Sequence, residues 1–115
     1  MTYGYEQSVL SGRVSDMGDY NTVSGDGVGS CHLQPLPTVR ILRQPAHGEI
    51  LVTTGRRVLH VRPGAPIAYC DGRQFISRIV QYRATSGYVG EDHLTYEVTF
   101  LDGTHDIYEK RLSVR

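Results

Sequence analysis

The run Leu94-Thr-Tyr-Glu-Val-Thr-Phe100 constrains the fold most. Leu94, Tyr96, Val98 and Phe100 alternate with Thr95, Glu97 and Thr99. A period of two places the first set on one face of a β-strand and the second on the other, so this segment has a core side and a wet side. Its approach is equally informative: Ile79–Arg83 is a short β run, and Thr85–Gly90 is a glycine-bounded corner. Elsewhere, turn signals recur about every eight to twelve residues, and no apolar 3.6-residue period lasts three turns. The expected fold is an all-β antiparallel sandwich.

Further strands are expected at Thr38–Arg43, at Glu49–Thr53 and Arg57–Val61 around a Thr54-Gly55 turn, at Arg78–Arg83, and at Asp106–Val114 after an Asp102-Gly103 hairpin. The prolines of Leu33-Gln-Pro-Leu-Pro37 block ladder hydrogen bonds and mark an entry segment. Gln44-Pro-Ala-His-Gly48 reads as a turn, with Gly48 available for a positive φ. In the last strand Tyr108, Leu112 and Val114 share a face with Lys110, so its core side is less clean.

Residues 1–30 differ from the rest. They hold six of the 13 glycines and five serines, with few apolar residues. A flexible or loop-rich arm is expected over 1–30, preceding a sandwich domain over 31–115. Tyr3, Tyr5, Val9 and Leu10 nevertheless supply enough β-formers for one short strand. Such a strand can close an open sheet edge in its own molecule or in a neighbour, and the second outcome builds a homo-oligomer or filament.

Charge and composition narrow the function. Lys plus Arg and Asp plus Glu are equal at 12 each, which removes the usual electrostatic basis for a nucleic-acid partner and does little to keep copies apart. No apolar run reaches the roughly 18 residues of a spanning helix. Cys31 and Cys70 decide little by their number alone, since two free thiols suit a cytosolic chain; the expectation is one Cys31–Cys70 disulfide, in keeping with export to an oxidising compartment.

Chemistry-bearing residues are scattered. No two of His32, His47, His60, His93 and His105 lie within ten residues of each other, so local spacing offers no metal site. Asp16, Asp19, Asn21 and Asp26 lack the spacing of a calcium loop. Ser11, Ser86 and Cys70 have no nucleophile context, and Glu91-Asp92 is an adjacent pair in a corner. The expectation is a protein without catalytic residues, cofactor or metal. Arg56, Arg57, Arg62, Arg73, Arg78 and Arg83 concentrate positive charge in mid-chain, which suits an anionic polysaccharide.

Pro45-Ala46-His47-Gly48, Gln81-Tyr82-Arg83 and Gly87-Tyr88-Val89-Gly90-Glu91-Asp92, followed by Leu94-Thr-Tyr-Glu-Val98, form a pattern across residues 38–114. It resembles bacterial Ig-like and cadherin-like repeat modules, and small secreted bacterial proteins that share the Cys70-Asp71-Gly72-Arg73 turn. Two positions depart from the family: Ala84 stands in place of its proline, and Leu94 in place of its phenylalanine. The resemblance implies an Ig-like sandwich acting as a non-catalytic structural or binding module in the periplasm or outside the cell. Competing roles are a phage decoration or tail protein and a small sugar- or metal-binding protein. On the same pattern Gly87, Gly90 and Asp92 shape the corner, with Asp92 capping it, and Tyr96 fills the core while its hydroxyl reaches backbone.

Overall fold

The computed structural model describes residues 1–115. Nine strands form: β1 Thr2–Val9, β2 Val14–Tyr20, β3 Val23–Gly25, β4 Cys31–Leu33, β5 Thr38–Arg43, β6 Gly48–Val58, β7 Gln74–Ala84, β8 Gly90–Thr99 and β9 His105–Val114. A single 3₁₀ turn, Ala68–Cys70, lies between β6 and β7. A four-stranded sheet has the order β1-β9-β8-β5, a three-stranded sheet β2-β7-β6, and β3 and β4 pair by themselves. No helix is long and apolar enough to cross a membrane.

Alternation builds the core between the two larger sheets. Leu94, Tyr96 and Val98 of β8 point inward with Leu112 and Val114 of β9, facing Val80, Tyr82 and Ala84 of β7. All eight are almost wholly excluded from water, and burying one such side chain contributes about 1.5–3 kcal/mol. The alternation from Leu94 onward therefore does what its period requires.

The expected boundary at residue 30 separates nothing in the structure. β1 is an edge strand of the larger sheet, parallel to β9 from Thr2↔Ile107 to Val9↔Val114. β2 is an edge strand of the other sheet, antiparallel to β7. Of the destinations open to Tyr3, Tyr5 and Val9, the strand takes the edge of its own molecule; Leu10 lies just past its end and is exposed. The pairing of β2 skips Met17, because Asp16 opposes Gln81 and Gly18 opposes Val80. One extra residue in a strand is a β-bulge. It turns Met17 into the core, where it is 5 % exposed, and this buried apolar side chain is what an otherwise polar strand needs to stay on the sandwich.

A second difference concerns Thr54-Gly55. Instead of turning there, β6 runs unbroken from Gly48 to Val58, because β7 is equally long and pairs with every residue of it. Gly55 opposes Ser77, and a Cβ on it would meet Ile79 Cδ1 at 3.0 Å. Its glycine makes room for a side chain, not for a turn.

Cys31, at the start of β4, and Cys70, ending the 3₁₀ turn, form a disulfide. Cys70 is fully buried. Tyr69 supports the same junction by donating its hydroxyl to the Ser30 carbonyl and accepting from the Gly27 amide. The β3–β4 hairpin is thereby tied to the segment preceding β7.

Candidate functional site

Two polar centres sit inside the sandwich. The first gathers the motifs at the β5–β6 turn and the corner before β8. Asp92, 2 % exposed, accepts hydrogen bonds from the Ala46 amide (2.9 Å), the His47 amide (3.1 Å), the His93 amide (3.0 Å) and the Tyr82 hydroxyl (2.6 Å). Asp92 therefore caps the turn between β5 and β6, not the corner it follows. The His47 ring stacks on Tyr88, with centroids 3.9 Å apart and planes 7° from parallel. The Thr85 amide donates to the His47 carbonyl at 2.8 Å. Tyr82 comes from the opposite sheet, so the carboxylate holds the two sheets together as well as the turn. Burial and the neighbouring carboxylate push the Tyr82 phenol above its ordinary range.

The glycines of this centre divide by role. Gly87 (φ 87°) and Gly90 (φ 140°) adopt left-handed backbone that L residues rarely take. Gly48 has no positive φ. It is needed because a Cβ there would lie 2.6 Å from both the Arg83 carbonyl oxygen and the Tyr82 ring.

The second centre is a tyrosine cluster around Lys110. Tyr108 stacks on Tyr96 and Tyr3 at centroid distances of 5.3 and 5.4 Å and meets Tyr20 at 5.1 Å. The Tyr96 hydroxyl reaches the Tyr20 hydroxyl at 2.6 Å, so its partner is a side chain of β2 and not backbone. Burial pushes Tyr96 up to about 12; Tyr108 also rises to about 12, through burial and the nearby Asp106 carboxylate. Tyr20 rises by burial and by its bond to Tyr96.

Lys110 resolves the mixed face of the last strand. Its Nζ donates at 2.8 Å to the carbonyl of Met17, the bulged residue, and lies 4.5 Å from the centroid of Tyr5. The cation is satisfied by a backbone acceptor on β2 and the π-face of a ring on β1. Burial lowers its pKa. One lysine of β9 thus touches β1 and β2, the first two strands of the chain.

The remaining residues singled out in the sequence lie apart. Asp16 accepts from Gln81 (2.8 Å) and Arg57 (3.0 Å), and these bonds hold its carboxyl below the usual range. Asp26 is held at about 2 by the amides of Val28 and Ser30 in its turn. Asn21 donates to the Ser77 hydroxyl at 2.8 Å. His93 lies 3.9 Å from Glu91. On the outer face of the four-stranded sheet a shallow cleft of about 490 Å³ is lined by Glu6, Arg43, His93, Glu109 and Arg111, beside Gly4.

Together these features define a disulfide-stapled all-β protein whose polar interior residues fasten loops and strands. Comparison with protein-family models, curated proteins and solved structures found no match.

Proposed function

We propose that this chain is an Ig-like, non-catalytic structural or binding module that works outside the cytoplasm, as one link of a surface or extracellular assembly. The observation that supports this most strongly is how the chain enters and leaves. Met1 lies at the end of the four-stranded sheet where β9 begins, its carbonyl accepting from the Ile107 amide. Arg115 lies at the other end, its amide bonded to the Val9 carbonyl. The entering and leaving strands are parallel neighbours over eight residue pairs. Tension between the two ends loads those pairs in shear, all at once, and does not peel them one by one. That geometry suits a unit held between others.

The disulfide supports the assignment to an oxidising compartment, since such bonds persist there and are rare in the cytosol. The β1–β9 pairing also leaves room for assembly by the arm. Only Leu10–Arg13 separates β1 from β2, and β1 of one copy can take the β9 edge of the next in head-to-tail exchange.

Single-molecule pulling on a tandem array of this chain tests the proposal. A variant with Gln7→Pro, which removes a donor from the middle of β1, is expected to unfold at clearly lower force than wild type. Equal forces would remove the mechanical argument.

A further inference from the structure

The two main sheets have four edge strands, β1, β5, β2 and β6. An open edge presents unpaired N–H and C=O groups, and natural sheets blunt it with prolines, bulges or charge. β5 lies between Pro37 and Pro45 and breaks register at Leu42. β2 carries the Met17 bulge, and the Gln7 side chain donates to its Asp16 carbonyl. β1 carries Gly4 and the exposed Glu6 mid-strand. β6 has neither a proline nor a bulge: it keeps register with β7 over eleven residues, its charged residues Glu49, Arg56 and Arg57 stand near its two ends, and Val52 is 44 % and Val58 41 % exposed.

We propose that the free edge of β6 is a self-association surface, and that its partner is β6 of a second copy, antiparallel about a two-fold axis through Thr53. A two-fold perpendicular to the sheet keeps each face on its own side, so opposed residues must share parity along the strand. Centring on Thr53 places Glu49 opposite Arg57 twice, once on each side of the axis. It also places Val52 opposite Thr54, and Leu51 opposite Gly55. Glu49 is the one carboxylate of β6. Shifting the centre to Val52 sets it against Gly55, and shifting to Thr54 sets it against Leu59, so charge complementarity selects Thr53. Within its own molecule Glu49 is exposed, and its cross-strand neighbour on β7 is Arg83. Arg57 binds Asp16 of β2 at 3.0 Å and the Arg56 carbonyl at 2.9 Å, so its guanidinium lies back over β7 and turns to the free edge to meet Glu49 of the second copy. Asp16, Arg57, Glu49 and Arg83 then alternate in sign across the joined sheet. A net charge of zero adds no repulsion between copies.

Sedimentation equilibrium of the oxidised full chain, from micromolar to millimolar, tests this. Wild type is expected to show a monomer–dimer equilibrium in that range. Thr53→Lys sets like charges opposite each other on the axis and should weaken dimerisation about tenfold or more. Glu49→Arg and Arg57→Glu should each weaken it similarly, and the double variant should restore it. Asp16→Asn, which breaks the same intramolecular pair as Arg57→Glu, should not weaken it. Thr53→Cys should yield a covalent dimer on oxidation, because residues opposed on the axis meet the reach of a disulfide. A monomer throughout, or a dimer indifferent to Thr53→Lys and to both charge reversals, overturns the proposal. Association that survives Thr53→Lys but disappears when residues 2–9 are removed assigns assembly to exchange of β1, and overturns it equally.

Discussion

Replacing Asp92 by alanine removes the acceptor for four donors at once. The Ala46 and His47 residues are exposed, so water can replace the carboxylate at their amides. Tyr82 has no such recourse: it is fully buried, its hydroxyl lies 2.6 Å from the carboxylate, and its other acceptor, the His47 carbonyl, is 3.5 Å away. An unsatisfied buried polar group costs about 1–3 kcal/mol, and a hydrogen bond to a charged group contributes about 1.5–3. Counting the stranded Tyr82 hydroxyl and the charge-assisted bonds lost from the turn, the expected loss is about 4 kcal/mol. For a domain of this size that lowers Tm by about 16 °C.

Urea unfolding with the disulfide intact measures this loss, and amide exchange at Ala46, His47 and His93 locates it. Asp92→Asn keeps the shape but exchanges one acceptor for a donor, so it should fall between wild type and alanine. Tyr82→Phe should cost less than Asp92→Ala, because the three amides keep their carboxylate. A loss below about 1 kcal/mol for Asp92→Ala would refute the view that this residue joins turn to sheet.

Removing the disulfide by Cys31→Ser and Cys70→Ser frees a loop spanning 39 positions; a loss of roughly 4 kcal/mol is expected in the chain-entropy account, read from urea midpoints. Gly48→Ala places a Cβ against the Arg83 carbonyl and the Tyr82 ring, and thermal unfolding should show a cost of about 1–3 kcal/mol. Alkaline pH should destabilise the fold. Tyr20, Tyr82, Tyr96 and Tyr108 hold their protons above the ordinary value of 10. Their contribution is complete below pH 10 and is lost as pH rises from about 10 toward 12. Lys110, with its lowered pKa, contributes the opposite sign as pH approaches its ordinary 10.5, one group against four. Urea midpoints that stay level between pH 9 and 11.5 would contradict this.

The sandwich was legible because its central strands follow local rules. From Leu94 to Val98 the period of two carries over directly, with Leu94, Tyr96 and Val98 buried and Thr95 and Glu97 half-buried, and Asp102-Gly103 closes the β8–β9 hairpin as expected of that dipeptide. The segment 1–30 was misleading for a physical reason. β2 reads Val-Ser-Asp-Met-Gly-Asp-Tyr, and its bulge breaks alternation at Met17, which anchors it together with Tyr20. A period-two search fails there because the strand itself departs from period two. Gly55 misled in the opposite direction. Glycine after threonine signals a turn locally, but the length of β7 and the bulk of Ile79 settled the matter from more than twenty residues away.

The polar centres were hidden by distance along the chain. Asp92 was singled out beside Gly90, where a local cap is the natural reading, yet two of its amides lie 45 and 46 residues earlier. What connects them is the antiparallel pairing of β5 with β8, which carries the chain leaving Arg43 past the first residues of β8. Lys110 follows the same logic. A lysine on the core face of β9 looks like a flaw until the bulge of β2 turns the Met17 carbonyl toward it and β1 brings Tyr5 over it. The two partners are in place together only once β1 and β2 have both docked. Lys110 is therefore tolerated only in the finished sandwich: undocked, the segment would leave an ammonium group on an apolar face without acceptor or ring. The residue that blurs the pattern of the last strand is the one that ties the first two to the core.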